Sequence, residues 1–131
     1  MDDNLRQLLI EDLRRARHGF GLATEYTGEG SEISPSCGDG VTVRVGPDGF
    51  SWEGDGCAVS MAAASALGAT TVDDFRMLVD DYLTSVIPGA PPVPGDLEPF
   101  AGIGRFPLRA GCATLAWRAA RTALAAATPP V

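Results

Sequence analysis

Four side chains in this sequence have the chemistry of a metal site. They are Cys37, Asp39, Cys57 and Cys112. Three thiolates and one carboxylate make a set of four ligands that Zn²⁺ accepts in tetrahedral geometry, and thiolate-rich sites also bind iron–sulfur clusters. An odd number of cysteines argues against a disulfide framework in a reducing compartment. The remaining options are a metal site, a reactive thiol, or thiols that are simply buried.

Each of the three cysteines has a glycine as a neighbour in the sequence. Cys37 is predicted to lie in a loop, whereas Cys57 and Cys112 are each predicted to begin a helix. Helix N-termini stabilise negative charge, so both helical positions favour the thiolate that binds a metal or acts as a nucleophile. The sequence contains no Cys-x-x-Cys pair, and the residues alone therefore leave two alternatives open: one shared metal site, or three separately buried thiols.

The hydrophobic pattern predicts the elements that would position these residues. Apolar residues at helical spacing indicate a first helix over residues 4–17, and the Gly-, Ser-, Thr- and Glu-rich segment 19–40 is predicted to be a loop. Residues 41–45 alternate like a half-buried strand, 46–49 are typical of a turn, and 50–53 would form the returning strand. The middle of the chain should thus contain a short β-hairpin.

Three more helices are predicted after the hairpin. The first is Ala-rich and runs from Cys57 to Gly68, the second follows an N-cap at Thr70 or Thr71, and the third covers 112–127. Residues 88–104, rich in Pro and Gly, are expected to form an irregular surface excursion. We therefore expect a single α+β domain over residues 1–131, with a small antiparallel sheet packed against several helices, an insertion at about 88–104 and the metal site at one edge of the sheet.

Composition and charge exclude several classes of function. The net charge of −7 argues against nucleic acid as a partner, because phosphate binding needs clustered Lys and Arg. The longest mostly apolar run, residues 57–69, is too short to span a membrane, and the N-terminus lacks the features of a signal peptide. We therefore expect a cytoplasmic protein. The lone histidine, His18, leaves little for acid–base hydrolysis and is expected to be exposed rather than a ligand.

Three motifs in order, one around each cysteine, resemble the IscU/NifU-like family of iron–sulfur cluster assembly proteins. SPSCGD at 34–39 is similar to the family's N-P-x-C-G-D loop, GDGCAVSMAAAS at 54–65 to G-x-G-C-x-I-S-x-A-S-x-S, and RAGCATLAW at 109–117 to R-x-K-C-A-x-L-x-W. The resemblance implies the SufE/NifU-like fold of IscU. It also implies that Cys37, Asp39, Cys57 and Cys112 are the metal ligands.

Two features favour the SufU-type branch over the IscU-type branch of this family. IscU-type proteins carry a His immediately before the last cysteine, where this chain has Gly111, and an L-P-P-V-K motif just upstream. The nearest counterpart here, at 91–93, is followed by Pro94 and lies far from Cys112. The Pro- and Gly-rich segment 88–104 resembles the insertion of SufU-type proteins, although Gly111 also replaces the Lys of the SufU pattern.

The SufU-type resemblance implies a function in sulfur transfer. The chain would be a sulfurtransferase-like accessory protein that binds zinc and accepts persulfide sulfur from a SufS-type cysteine desulfurase for iron–sulfur cluster assembly. Cys37 would be the sulfur acceptor. Two alternatives stay open: an IscU-like scaffold that assembles a [2Fe–2S] cluster on the same residues, and a non-catalytic domain that uses zinc only to fold and dock to other proteins.

Overall fold

The fold is an antiparallel sheet packed against helices, as a computed structural model that describes residues 1–34 and 38–127 shows. The elements are helix α1 (Asp3–Ala16), strands β1 (Gly28–Ile33), β2 (Gly40–Gly46) and β3 (Gly49–Asp55), helices α2 (Ala58–Gly68) and α3 (Val72–Ser85), two 3₁₀-helices (Gly95–Phe100 and Ile103–Arg105) and helix α4 (Pro107–Ala126). The strand order is β1-β2-β3, with both pairs antiparallel. The predicted α+β class is confirmed.

The predicted hairpin is present as β2 and β3. Val41, Val43 and Val45 alternate with less buried residues along β2 and face the core. The turn ends at Gly49, whose φ of 105° lies in the region that favours glycine. The hairpin therefore follows directly from period-two alternation bounded by turn residues.

Strand β1 corrects the prediction of a loop over 19–40. Its inward positions are glycines rather than large apolar residues, so the hydrophobic alternation that signals a strand is missing. Glycine is required there because α4 packs directly on the strand. A Cβ added to Gly28 would lie 2.0 Å from the carbonyl oxygen of Ala123, and one added to Gly30 would lie 2.3 Å from that of Ala119.

The core lies between the sheet and the helices. Phe75 of α3 packs between Phe50 of β3 and Trp117 of α4, with ring centroids 5.0 and 5.2 Å apart, and Trp52 and Trp117 are fully buried. Tyr82 donates a hydrogen bond from its hydroxyl to the carbonyl of Ala113 at 2.5 Å, and burial raises the pKa of this tyrosine. That bond joins α3 to the turn of α4 that carries Cys112.

The segment 88–104 is more ordered than the predicted surface excursion. It contains the first 3₁₀-helix and the start of the second, and five of its apolar residues are buried: Val93, Leu97, Pro99, Phe100 and Ile103. Phe100 meets the ring of Tyr82 edge-on, with centroids 5.9 Å apart. The segment therefore contributes to the core.

None of the helices in the described part of the chain is long and apolar enough to cross a membrane.

Candidate metal centre

The β2–β3 hairpin brings Asp39 and Cys57 together at its open end. Asp39 immediately precedes β2, and Cys57 follows β3 by one residue. Because Gly40 pairs with Asp55 in the antiparallel register, the residues just outside this pair lie side by side. Residues 18 positions apart in sequence thus meet at the edge of the sheet, where the sequence predicted the site.

Asp39 lies at the centre of the contacts in this site. Its Oδ2 accepts hydrogen bonds from the backbone N–H of Cys57 at 3.1 Å and from the hydroxyl of Ser60 at 2.7 Å. The Sγ of Cys112 lies 3.6 Å from the same oxygen. Asp39 as a whole is 9% exposed, so these contacts are made largely out of water.

The donor set fits a tetrahedral metal. One ligand atom each from Asp39, Cys57 and Cys112 lie within 4.8 Å of one another. Ligands about 2.3 Å from a tetrahedral zinc are roughly 3.8 Å apart, so only small side-chain movements separate this arrangement from a coordination sphere. Two soft sulfur donors with one carboxylate suit zinc, and they also suit iron.

The two described cysteines occupy different positions in their helices. Cys57 is the N-cap of α2 and is exposed, which confirms that this helix begins at the cysteine. The prediction for Cys112 was wrong, because α4 begins five residues earlier, at Pro107. Proline at the first helical position is a common start, since its missing N–H needs no partner there. Cys112 therefore lies in the second turn, buried, and beyond the first-turn range of the helix-end charge.

Glycines at 54 and 56 give the main chain the close approach that this site needs. A Cβ on Gly54 would lie 2.5 Å from the carbonyl oxygen of Gly40. A Cβ on Gly56 would lie 2.7 Å from Cγ and 2.8 Å from Oδ2 of Asp39. The G-x-G that precedes Cys57 is therefore required by packing: the first glycine fits against β2 and the second against the carboxylate.

We expect Gly56→Ala to weaken metal binding, and Gly111→Ala to leave it intact. The first adds a methyl group where Asp39 lies, so the carboxylate must move, and changes to groups that orient a ligand typically cost about 10- to 100-fold in metal affinity. At Gly111 the nearest described atom to an added Cβ is the Oγ of Ser34, at an ordinary contact distance of 3.8 Å. Replacing this helical glycine should raise the free energy of unfolding by roughly 0.5–1 kcal/mol.

Titration of both purified variants with Co²⁺ or Zn²⁺, beside urea denaturation, measures these two effects. Equal metal affinity for Gly56→Ala and the unmodified protein would show that the carboxylate adapts without cost.

Cys37, the fourth residue of the predicted set, lies outside the described residues. The described residues on either side of it are hydrogen-bonded to each other. Ser34 donates its N–H to the carbonyl of Asp39 at 2.8 Å, and Gly38 donates its N–H to the carbonyl of Ser34 at 2.9 Å. Asp39, two positions after Cys37, is thereby held by its backbone as well as by its carboxylate.

A groove of about 510 Å³ adjoins Cys57 between α1, the start of α2 and the start of α4. Its lining includes the arginines Arg6, Arg105 and Arg109. Arg105 forms an ion pair with Asp3 at 2.9 Å, and Arg109 stacks over the ring of Phe106, which is about half exposed. The mouth of the site thus combines arginines, one of them paired with Asp3, with exposed apolar surface.

His18 and Ser60 lie outside the predicted ligand set. His18 is exposed, as predicted, and it contributes its backbone: its carbonyl accepts a hydrogen bond from Nε1 of Trp52 at 2.7 Å. Ser60 was not singled out, although its hydroxyl contacts Asp39 and lies 3.5 Å from the Sγ of Cys57. The signal in the sequence was its place three residues after a candidate ligand, in the first turn of a predicted helix.

Comparison with solved structures defines the class of fold. The N-terminal part of a NifU-like protein from Brucella abortus superposes with a TM-score of 0.78 at 22% identity, covering 89% of this chain and 90% of that one. A protein from Fervidobacterium islandicum, described as an iron–sulfur cluster assembly scaffold protein for the SUF system, gives a TM-score of 0.77 at 20% identity, covering 94% and 99%. At this identity the likeness establishes the IscU/NifU-like fold.

Curated relatives narrow the class to a family. The zinc-dependent sulfurtransferase SufU of Bacillus subtilis is 31% identical over 137 aligned positions, which cover 91% of this chain and 88% of the relative. The iron–sulfur cluster assembly scaffold protein IscU of Streptococcus pyogenes serotype M1 is 28% identical, over 70% of this chain and 65% of that protein. No family model matches the sequence. The chain belongs to the SufU family, within the IscU/NifU-like proteins of iron–sulfur cluster assembly.

Proposed function

We propose that this protein is a zinc-dependent sulfur-transfer protein that accepts persulfide sulfur from a SufS-type cysteine desulfurase for iron–sulfur cluster assembly. The observation that supports it most directly is the convergence of Asp39, Cys57 and Cys112 in a chain of the SufU family. The Bacillus subtilis relative is itself named as a zinc-dependent sulfurtransferase.

In this proposal the four ligands are Cys37, Asp39, Cys57 and Cys112. Asp39 is held by donors from α2 and by the backbone bond from Ser34, and Cys112 is held within α4. These two residues are the fixed part of the site. Zinc bound here would keep the thiolates deprotonated and add folding free energy.

The sulfur transfer is a thiol–disulfide exchange. The thiolate of Cys37 attacks the terminal sulfur of the desulfurase persulfide, a new S–S bond forms on Cys37, and the S–S bond in the desulfurase breaks. The desulfurase cysteine leaves as a thiolate, so charge and sulfur oxidation states balance without an external oxidant or reductant. The role of this chain is to present the attacking thiolate and then carry the persulfide onward.

The groove beside Cys57 supplies a surface on which the desulfurase would dock. Arg109 and Arg105 line the groove with Phe106, and a persulfide-bearing loop that enters it would reach Cys57. Three arginines and two carboxylates, Asp3 and Glu11, line the groove. This small excess of positive charge, in a chain of net charge −7, favours an anionic group such as a persulfide.

We expect the purified protein to hold one zinc per chain and to accelerate alanine release by a SufS-type desulfurase supplied with cysteine and a reductant. Elemental analysis measures the metal, and an alanine assay measures turnover. Protein stripped of metal by a chelator is the control, and it should lose the acceleration until zinc is restored. A zinc-containing protein that leaves turnover unchanged would support the non-catalytic, zinc-stabilised domain instead.

The scaffold alternative has support of its own, since the Streptococcus pyogenes relative is named as an IscU scaffold. The two thiols and the carboxylate would also suit a [2Fe–2S] cluster. Purification without oxygen separates the two functions. A colourless zinc protein is expected, whereas a brown protein containing iron and sulfide would favour the scaffold.

A further inference from the structure

Ser60 is a buried polar residue beside the candidate metal centre and outside its proposed ligand set. It lies in the first turn of α2 and is 1% exposed. Its Oγ is 2.7 Å from Oδ2 of Asp39, a short contact in which the hydroxyl donates to the carboxylate. The residue therefore lies on the side of Asp39 that faces the interior of the protein.

We propose that Ser60 is a positioning residue that fixes the orientation of the Asp39 carboxylate and thereby sets how tightly the site retains its metal. This inference rests on the proposed function, because it takes Asp39 as a metal ligand. Groups that hydrogen-bond a metal ligand orient it and commonly change metal affinity when they are removed.

The hydrogen bonds around Asp39 explain why Ser60 should matter. A carboxylate on a short side chain can rotate about two bonds, and two donors that meet at one oxygen restrict that rotation. The donors are the Ser60 hydroxyl and the Cys57 N–H, and both belong to the first turn of α2 or its cap. Loss of the hydroxyl removes the shorter of these two bonds and retains the longer one, at 3.1 Å.

Ser60 also links Asp39 to Cys57. Its Oγ lies 3.5 Å from the Cys57 Sγ, so one hydroxyl contacts two of the proposed ligands. Because α2 is packed among α1, α4 and β3, the position of this hydroxyl is set by the core. The proposed exchange of sulfur at Cys37 would then leave Asp39 in place, since its orientation depends on α2.

The test compares Ser60→Ala with Ser65→Ala. Both remove a buried hydroxyl from α2, but Ser65 accepts a hydrogen bond from the His18 N–H at 3.0 Å and makes that contact away from the site. Zinc affinity is measured by competition with a chromophoric chelator, with circular dichroism to verify folding. We expect Ser60→Ala to bind zinc roughly 10- to 100-fold more weakly, and Ser65→Ala to bind it as the unmodified protein does.

A double-mutant cycle tests whether Ser60 acts through Asp39. In an Asp39→Ala background, Ser60→Ala should cause no further loss of zinc affinity, because the carboxylate that it orients is gone. Additive losses in the cycle, or equal affinities for the two serine variants, would overturn the proposal. The titration contains no desulfurase, so failure of the sulfur-transfer function appears in a separate assay, while unmodified protein that takes up no zinc would overturn both.

Discussion

Replacing Cys37 with alanine should abolish stimulation of a cysteine desulfurase while leaving the protein folded. Cys57 caps α2 and Cys112 lies within α4, so departure of either sulfur from a metal would disturb a packed helix. Cys37 is predicted to lie in a Gly-flanked loop, and its neighbour Gly38 has a φ of 74° at a position where an added Cβ would meet none of the described atoms within 4 Å. A thiolate in such a loop can leave the metal at low cost and attack the persulfide.

The measurement mixes each variant with the desulfurase, cysteine and a reductant, follows alanine release, and locates the persulfide by mass spectrometry. Ser36→Ala is the matched control, since it changes the neighbouring residue and retains the thiol. Cys37→Ala that still stimulates turnover, or labelled sulfur found only on Cys57 or Cys112, would show that another cysteine accepts the sulfur.

The spacing of apolar residues along the sequence was sufficient to predict β2, β3 and most of the helices. In the strands these residues recur every second position, and in the helices about every 3.6 positions. Strand β1 could not be predicted in this way. Its inward positions, Gly28 and Gly30, must lack a side chain because α4 packs directly on them. That requirement becomes visible only once the position of α4 in the fold is known. The same reason applies to Gly56, whose role depends on a carboxylate that is distant in sequence.

The sequence predicted which residue types would meet at the candidate metal centre. It did not predict the contacts that hold those residues in place. Resemblance to the family pointed to Asp39, Cys57 and Cys112, and the structure brings these three together. The start of α4 was misplaced although Pro107 carries the usual signal for a helix start, because the cysteine was given more weight than the proline. Ser60 was missed because a serine in an Ala-rich helix resembles a packing residue, and its contact with Asp39 exists only in the tertiary structure.

The largest effect on stability is expected from Cys112→Ala, through loss of the metal. Binding to the folded state alone stabilises it by about 4 kcal/mol when free metal exceeds its dissociation constant a thousandfold. For a chain of this size such a loss lowers the melting temperature by roughly 10 °C or more. Cys112 is 4% exposed and its sulfur lies 3.6 Å from Asp39, so the alanine variant loses a buried ligand atom beside the carboxylate.

Thermal melts of the zinc-loaded protein and of Cys112→Ala, each with and without a strong chelator, separate metal loss from packing loss. The chelator should lower the melting temperature of the unmodified protein and leave that of Cys112→Ala unchanged, because the variant has little metal to lose. Thr114→Ala, which removes a hydroxyl bonded to the Ala110 carbonyl in the same helix, should keep the full chelator response. Identical melting temperatures for the unmodified protein with and without chelator would mean that metal binding contributes nothing to folding, and Cys112 would then be a packing residue only.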